Sequence, residues 1–139
     1  MSITFHVHPE RRLVETRIEG DVKLEDVLRY MHALESTPGY VPTFDAIVDV
    51  RGTDATLDTN GLHAVAGRVR ARPATARSRR AVVTGTDVTY GVMRMFEVFV
   101  GDAPTEYRAF RSMDEAMDWL GIDRSALRYL AEEPASDER

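Results

Sequence analysis

The fold class this sequence predicts is α/β: one unit with a mixed, mostly parallel sheet of about five strands, entered through a β-hairpin. Three observations predict it. Two alternating runs, Ile3 to His8 and Leu13 to Glu19, flank a short turn at Pro9-Glu10-Arg11-Arg12, as an antiparallel hairpin requires. Three further apolar runs, Phe44 to Val50, Arg80 to Thr84 and Thr105 to Phe110, alternate with segments of helical spacing. Strands that alternate with helices run parallel, because each helix carries the chain back across the sheet. The length, 139 residues, suits one core of useful size without disulfide or metal staples.

Each element has its own signal. In the hairpin, Ile3, Phe5 and Val7 share one face of the first run, and Val14, Thr16 and Ile18 share one face of the second. Gly20 ends the hairpin, and Asp21 is expected to cap the first helix. Leu24, Val27, Leu28, Met31 and Leu34 then recur at helical spacing until Ser36-Thr37-Pro38-Gly39 stops the run. Phe44 to Val50 is apolar apart from Asp45 and Asp49, the pattern of a strand covered on both faces. A second helix is expected from Thr59 to Arg72, with Asp58 at its N-cap and Leu62, Val65, Ala66 and Val69 buried.

Arg80-Ala81-Val82-Val83-Thr84 is a short buried strand closed by Gly85, after which Asp87 is expected to cap a third helix, Val88 to Val100. The apolar residues of that helix cover more than one stripe, so it needs a packing partner beyond its own sheet. After the last strand, Ser112-Met113-Asp114-Glu115 has the spacing of a capping box and opens a helix that buries Met113, Ala116, Met117 and Leu120. Gly121 followed by Ile122 matches a Schellman stop. The domain therefore spans residues 1–122. Residues 123–139 are expected to form a short terminal helix, Asp123 to Glu132, and a frayed acidic tail.

Composition removes several function classes. The apolar fraction of 43% and the charged fraction of 29% are those of an ordinary soluble protein. With no cysteine, the chain has no disulfide, thiolate nucleophile or cysteine-ligated metal. A formal charge of −5 argues against nucleic-acid binding. The amino terminus lacks the basic region and apolar run of a signal peptide, and no window reaches the ~18 apolar residues of a membrane span. A soluble, cytoplasmic protein without a membrane span or a cofactor is expected. Arg68, Arg70, Arg72, Arg77, Arg79 and Arg80 cluster in the middle of the chain and read as a solvated helix end, with an anion or acidic-partner site as the alternative.

Two stretches carry a family resemblance. Ala46-Ile47-Val48-Asp49-Val50, followed by Leu57-Asp58-Thr59-Asn60-Gly61-Leu62, resembles the apolar strand, Asp-Ser-Ser-Gly-Leu loop and helix of the phosphorylatable anti-sigma-factor antagonists. Tyr90-Gly91-Val92-Met93-Arg94-Met95-Phe96, Tyr107-Arg108-Ala109-Phe110 and Glu115-Ala116-Met117-Asp118-Trp119-Leu120 resemble stretches of the uncharacterised SpoIIAA-like group labelled STAS/SEC14. The chain is similar to the STAS-like, or SpoIIAA-like, superfamily over nearly residues 3 to 121. The resemblance implies a SpoIIAA-like fold and a switch loop at Asp58, Thr59, Asn60, Gly61 and His63. It also implies a departure. The phosphoacceptor position of those antagonists is Asn60 here, and an amide accepts no phosphate. Thr59 offers a hydroxyl one residue earlier, on the first turn of the helix, where a phosphate would gain from the helix dipole.

The remaining constellations are thin. His6 and His8 share a strand face but lack a third ligand in sequence. His32 falls beside a wet helix face, and His63, near Asp58, comes with no nucleophile motif. Asp49, Asp54, Asp58 and Asp87 fall near strand ends, where converging carboxylates hold Mg²⁺ or act as an acid/base pair, although Asp58 and Asp87 are better read as caps. There is no phosphate-binding glycine loop. The densest soft apolar group is Tyr90, Met93, Met95, Phe96 and Phe99 with Tyr107; flanked by Arg94, it suggests a dimer surface or the wall of an apolar-ligand pocket. The expected function is a non-enzymatic interaction or regulatory module that contacts a protein partner or itself as a homodimer. Binding of a small apolar or lipid-like ligand is the alternative.

Overall fold

A computed structural model describes residues 2–130. Strands β1 (Ser2–His8) and β2 (Leu13–Asp21) form the antiparallel hairpin, with His6 opposite Glu15 and His8 opposite Leu13. β3 (Asp45–Ala55), β4 (Ser78–Val83) and β5 (Thr105–Phe110) follow in sheet order β1-β2-β3-β4-β5, each parallel to the strand before it. The helices are α1 (Leu24–Glu35), α2 (Thr59–Arg70), α3 (Asp87–Val100) and α4 (Met113–Leu120). Among the described residues no helix is long and apolar enough to cross a membrane.

The period of two along the strands divides the core between the two faces of the sheet. Val14, Ile18, Ala46, Val48, Val50 and Val82 face the side that α1 covers through Leu34. α2 and α3 join that side through Leu62, Val65, Val69, Phe96 and Val100, with Met93 and Tyr107 packed against both groups. The alternate residues Leu13, Ile47, Ala81 and Val83 meet α4, together with Leu127 and Leu130 beyond it. The result is three layers with the sheet in the middle.

Several boundaries differ from the sequence expectation. Asp21 closes β2 and is not a cap; Lys23 stands at the N-cap of α1 with no side-chain cap bond. β3 continues past Val50 to Ala55, because its polar end still pairs with β2 through Gly20 and Asp21 across a register shift. Polar residues on such an extension look like loop in sequence. Thr86, not Asp87, caps α3, its hydroxyl accepting from the Thr89 amide at 3.1 Å. Asp58 and Ser112 cap α2 and α4 as expected. Gly121, at φ 71°, ends α4 with Ile122 N–H donating to the Met117 carbonyl at 3.0 Å. Gly85 serves a close approach: a Cβ there would stand 3.0 Å from the Arg51 carbonyl oxygen.

The expected terminal helix is instead a 3₁₀ turn, Arg124–Ala126, followed by extended backbone at Leu127. The cause is Glu15, whose carboxylate accepts the amides of Arg128, Tyr129 and Leu130 at 2.9, 3.0 and 2.8 Å. Amides committed to a side chain cannot continue a helical ladder. The end of that expected helix, to Glu132, and the expected frayed tail, Pro134 to Arg139, lie outside the described residues.

The arginine cluster is not a uniformly solvated helix end. Arg68 pairs with Glu35, and Arg79 with Asp45, each at 3.0 Å. Arg72 is half-buried, and Arg80 is only 5% exposed. The alternation of β4 explains Arg80, which falls on the same face as Val82, toward α1, while Ala81 and Val83 face α4.

Candidate functional site

The face of the sheet under α1, α2 and α3 is incompletely filled. A cavity of about 140 Å³ lies between the strand residues Ile18, Val48, Val50 and Val82 and the helical residues Tyr30, Met31, Leu62, Val65, Met93 and Phe96. The covering helix α1 holds one fully buried residue, Leu34, and its other inward residues are half-buried. Sparse burial goes with low local stability, and α1 has fewer fully buried residues than α2 or α3. A cavity of ~150 Å³ lined by aliphatic and aromatic side chains stays dry and admits a benzene-sized molecule. This one has a similar size and a mostly apolar wall, but it opens to the surface.

One end of the cavity is polar. Tyr40 Oη accepts from Arg72 Nη2 and from Arg80 Nη2, both at 3.0 Å. Arg72 Nη1 donates to Thr105 Oγ1 at 2.7 Å, and that hydroxyl donates to the Ala76 carbonyl at 3.1 Å. Tyr30 Oη lies 2.7 Å from Thr16 Oγ1. Burial pushes the Tyr30 phenol up to about 12, against the opposing pull of the Arg80 charge and the Thr16 hydrogen bond. It is therefore neutral at ordinary pH. Glu35 is the one carboxylate among the described lining residues, and it is committed to Arg68. A more open depression of about 390 Å³ shares Glu35, Tyr40 and Arg72 with the cavity, so the arginine end adjoins the surface.

The switch-loop residues sit at the start of α2. Asp58 Oδ1 accepts the Gly61 amide at 2.8 Å, which satisfies one of the helix's free amino-terminal N–H groups. Thr59 and Asn60 are exposed on the first turn. Gly61 is buried, and a Cβ there would meet Leu57 Cβ at 3.1 Å. His63 is exposed, and its ring stacks on Phe99 with centroids 3.8 Å apart and planes 16° from parallel.

The apolar candidates divide. Met93, Phe96 and Tyr107 line the cavity, with Tyr107 edge-on to Phe96 at 5.0 Å. Tyr90 instead lies under the Arg111 guanidinium, Arg94 is exposed beside Glu97, and Phe99 belongs to the His63 stack.

The strand-end aspartates do not converge. Asp49 faces the other side of the sheet, where Arg51 donates to it from the backbone, Nε and Nη2 at 3.0 Å each. Asp58 is a cap, Asp87 pairs with Arg111, and Asp54 is exposed. His8 Nε2 lies 2.5 Å from Glu15 Oε2, while His6 packs against the Tyr129 ring. Among the described residues no three histidine, aspartate or glutamate side chains are grouped to hold a metal ion.

Sequence reasoning missed Tyr30 and Tyr40, and it weighed Arg72 and Arg80 as an anion site only within the whole arginine cluster, which it read as a solvated helix end. One signal was present: a basic residue at an inward position of a short buried strand. Tyr40 and Arg72 had none, because a loop tyrosine and a helix-end arginine meet only through the fold.

No protein-family model matches the chain, and no curated protein matches it. Among solved structures it is similar to an uncharacterised DUF3478-family protein from Shewanella loihica PV-4 whose crystal structure has a SpoIIAA-like fold. The TM-score is 0.58 at 18% identity, over 85% of this chain and 93% of that one. With its opening hairpin, its parallel strands and its helices on both faces, this chain has a SpoIIAA-like fold.

Proposed function

We propose that this domain is a non-catalytic binding module that takes a small apolar molecule between its sheet and α1. The observation that carries the reading is the cavity of about 140 Å³, apolar over most of its wall and covered by a helix with one fully buried residue. Well-packed interiors leave few voids larger than a water molecule, so space of this size in so small a core is available for a ligand. The non-catalytic part of the reading is supported by Asp49, Asp58 and Asp87, each engaged in an ion pair or a cap away from the others. The loop at Thr59 and Asn60 enters as the exposed end of the helix that walls the cavity through Leu62 and Val65.

Titration with an environment-sensitive apolar dye tests the reading, in wild type and in Val65→Phe, which fills the space from α2. Wild type is expected to bind with a stoichiometry of one. The variant is expected to lose binding while keeping its far-ultraviolet circular dichroism. Equal binding by both would remove the cavity as the site.

A second reading is contact through α3 with another copy of this chain, favoured by Val88, Met95 and Val98, which are 77%, 37% and 76% exposed. Light scattering over a concentration series checks it. A dimer lost in Val98→Asp supports it, and a monomer at every concentration removes it.

A further inference from the structure

The polar end of the cavity narrows the ligand class. Arg80 is 5% exposed, and the described residues ion-pair no carboxylate with it or with Arg72. A guanidinium has five N–H donors, and among the described residues Arg80 gives one bond, to the neutral Tyr40 oxygen. Burying a charge without a counter-charge is costly, and buried guanidinium groups are ordinarily found paired with an acid. Here two guanidinium groups converge on one phenol oxygen, at the end of an apolar space. The Tyr40 hydroxyl hydrogen is donated to no protein group among the described residues. The site therefore offers two cations and a hydroxyl donor with no anion to receive them.

We propose that the ligand is a small amphiphilic monocarboxylate, its carboxylate held by Arg80 and Arg72 beside Tyr40 and its hydrocarbon part in the cavity. This rests on the apolar-ligand reading and deepens it. The planar guanidinium fork matches a carboxylate through two parallel hydrogen bonds. The same fork also pairs a phosphate, which makes octyl phosphate the competing head group in the test. Arg72 and Arg80 are the only cations among the described lining residues, and Arg68 is tied to Glu35. The volume sets the size of the hydrocarbon part. A space that takes a benzene-sized group corresponds to roughly six to eight carbons in the whole acid.

Calorimetric titration of the full chain with octanoate, 1-octanol and octyl phosphate at neutral pH tests the proposal. Octanoate is expected to bind about tenfold to a hundredfold more tightly than octanol, the worth of a charge-assisted hydrogen-bonded pair. In Arg80→Met, which keeps an unbranched apolar side chain, the advantage of octanoate is expected to vanish while octanol still binds. Retained octanol binding shows in the same experiment that the variant is folded. Equal binding of octanoate and octanol by wild type would overturn the head-group assignment and leave the apolar-ligand reading standing. Tighter binding of octyl phosphate than of octanoate would also overturn it. If none of the three binds wild type, both readings fail.

Discussion

The two faces of the sheet treat buried charge in opposite ways. On the α4 face, Glu15 is fully buried near the start of β2, and it accepts from three backbone amides and pairs with His8. Asp49, on the same face, takes three hydrogen bonds from Arg51 and lies 3.5 Å from Arg17 Nε. On the α1 face, Arg80 is nearly as buried and has one neutral hydrogen-bond partner among the described residues. The solvation cost of taking an ion out of water is similar in kind on both sides. Where the chain itself meets that cost, the charge organises structure, as Glu15 does in fixing residues 128–130. Where it does not, as at Arg80, the charge borders the open space.

That contrast can be attacked from its strongest side first. Glu15→Ala strips the acceptor from three amides at once and is expected to cost about 3–5 kcal/mol, measured from the urea midpoint. Glu15→Gln, which keeps one carbonyl oxygen, should cost less. The loss should come with faster proteolysis near Arg128, because that segment is held by the same carboxylate. Arg80→Met should behave in the reverse sense. An incompletely paired buried charge replaced by an apolar side chain is expected to leave stability unchanged or to raise it by up to about 2 kcal/mol. A loss as large as that of Glu15→Ala would make Arg80 structural and erase the difference between the faces.

A smaller effect concerns pH. The Tyr30 phenol is raised from 10.0 to about 12 in the folded chain, so the folded state holds its proton more tightly than the unfolded state does. The associated stability is complete below pH 10 and is lost as pH rises toward 12. The stability difference between wild type and Tyr30→Phe should therefore shrink across that window, measured by denaturation at stepped pH. A constant difference would show that the phenol is not desolvated. Smallest is Asp58→Ala, expected to cost about 1 kcal/mol by removing the cap of α2. Because that change loosens a wall of the cavity without touching its charges, the ratio of octanoate to octanol affinity should stay as in wild type.

Much of the fold was legible because its signals are local. Thr105 to Phe110, the Ser112 cap and the Gly121 stop are read from spacing and turn chemistry within a few residues. The failures have one physical theme. Asp21 and Asp87 have good cap chemistry but stand beside the true cap positions, which are set by where the preceding strand releases the chain. The terminal segment has helical spacing at Leu127 and Leu130, yet Glu15, more than a hundred residues away in sequence, takes its amides. The candidate site was half legible. Met93, Phe96 and Tyr107 stood out as surplus apolar residues, and they line the cavity. Arg80 and Arg72 were hidden inside a run of arginines, most of which face water or pair at the surface. Only the alternation of β4 separates the buried one, and only the tertiary fold brings Tyr40 to it.

If the proposed function holds, one face of the sheet is open to a ligand and the other is closed. The methionines are placed to test it: Met31 and Met93 line the cavity, Met113 and Met117 pack on the opposite face, and Met95 is on the outer side of α3. A carbon-13 methyl spectrum of the methionine-labelled chain, recorded during titration with octanoate, reports all of them at once. Saturable shifts of the Met31 and Met93 methyls, with Met113 and Met117 unmoved, are predicted. Shifts confined to Met95, or to Met113 and Met117, would place the ligand elsewhere and contradict the account.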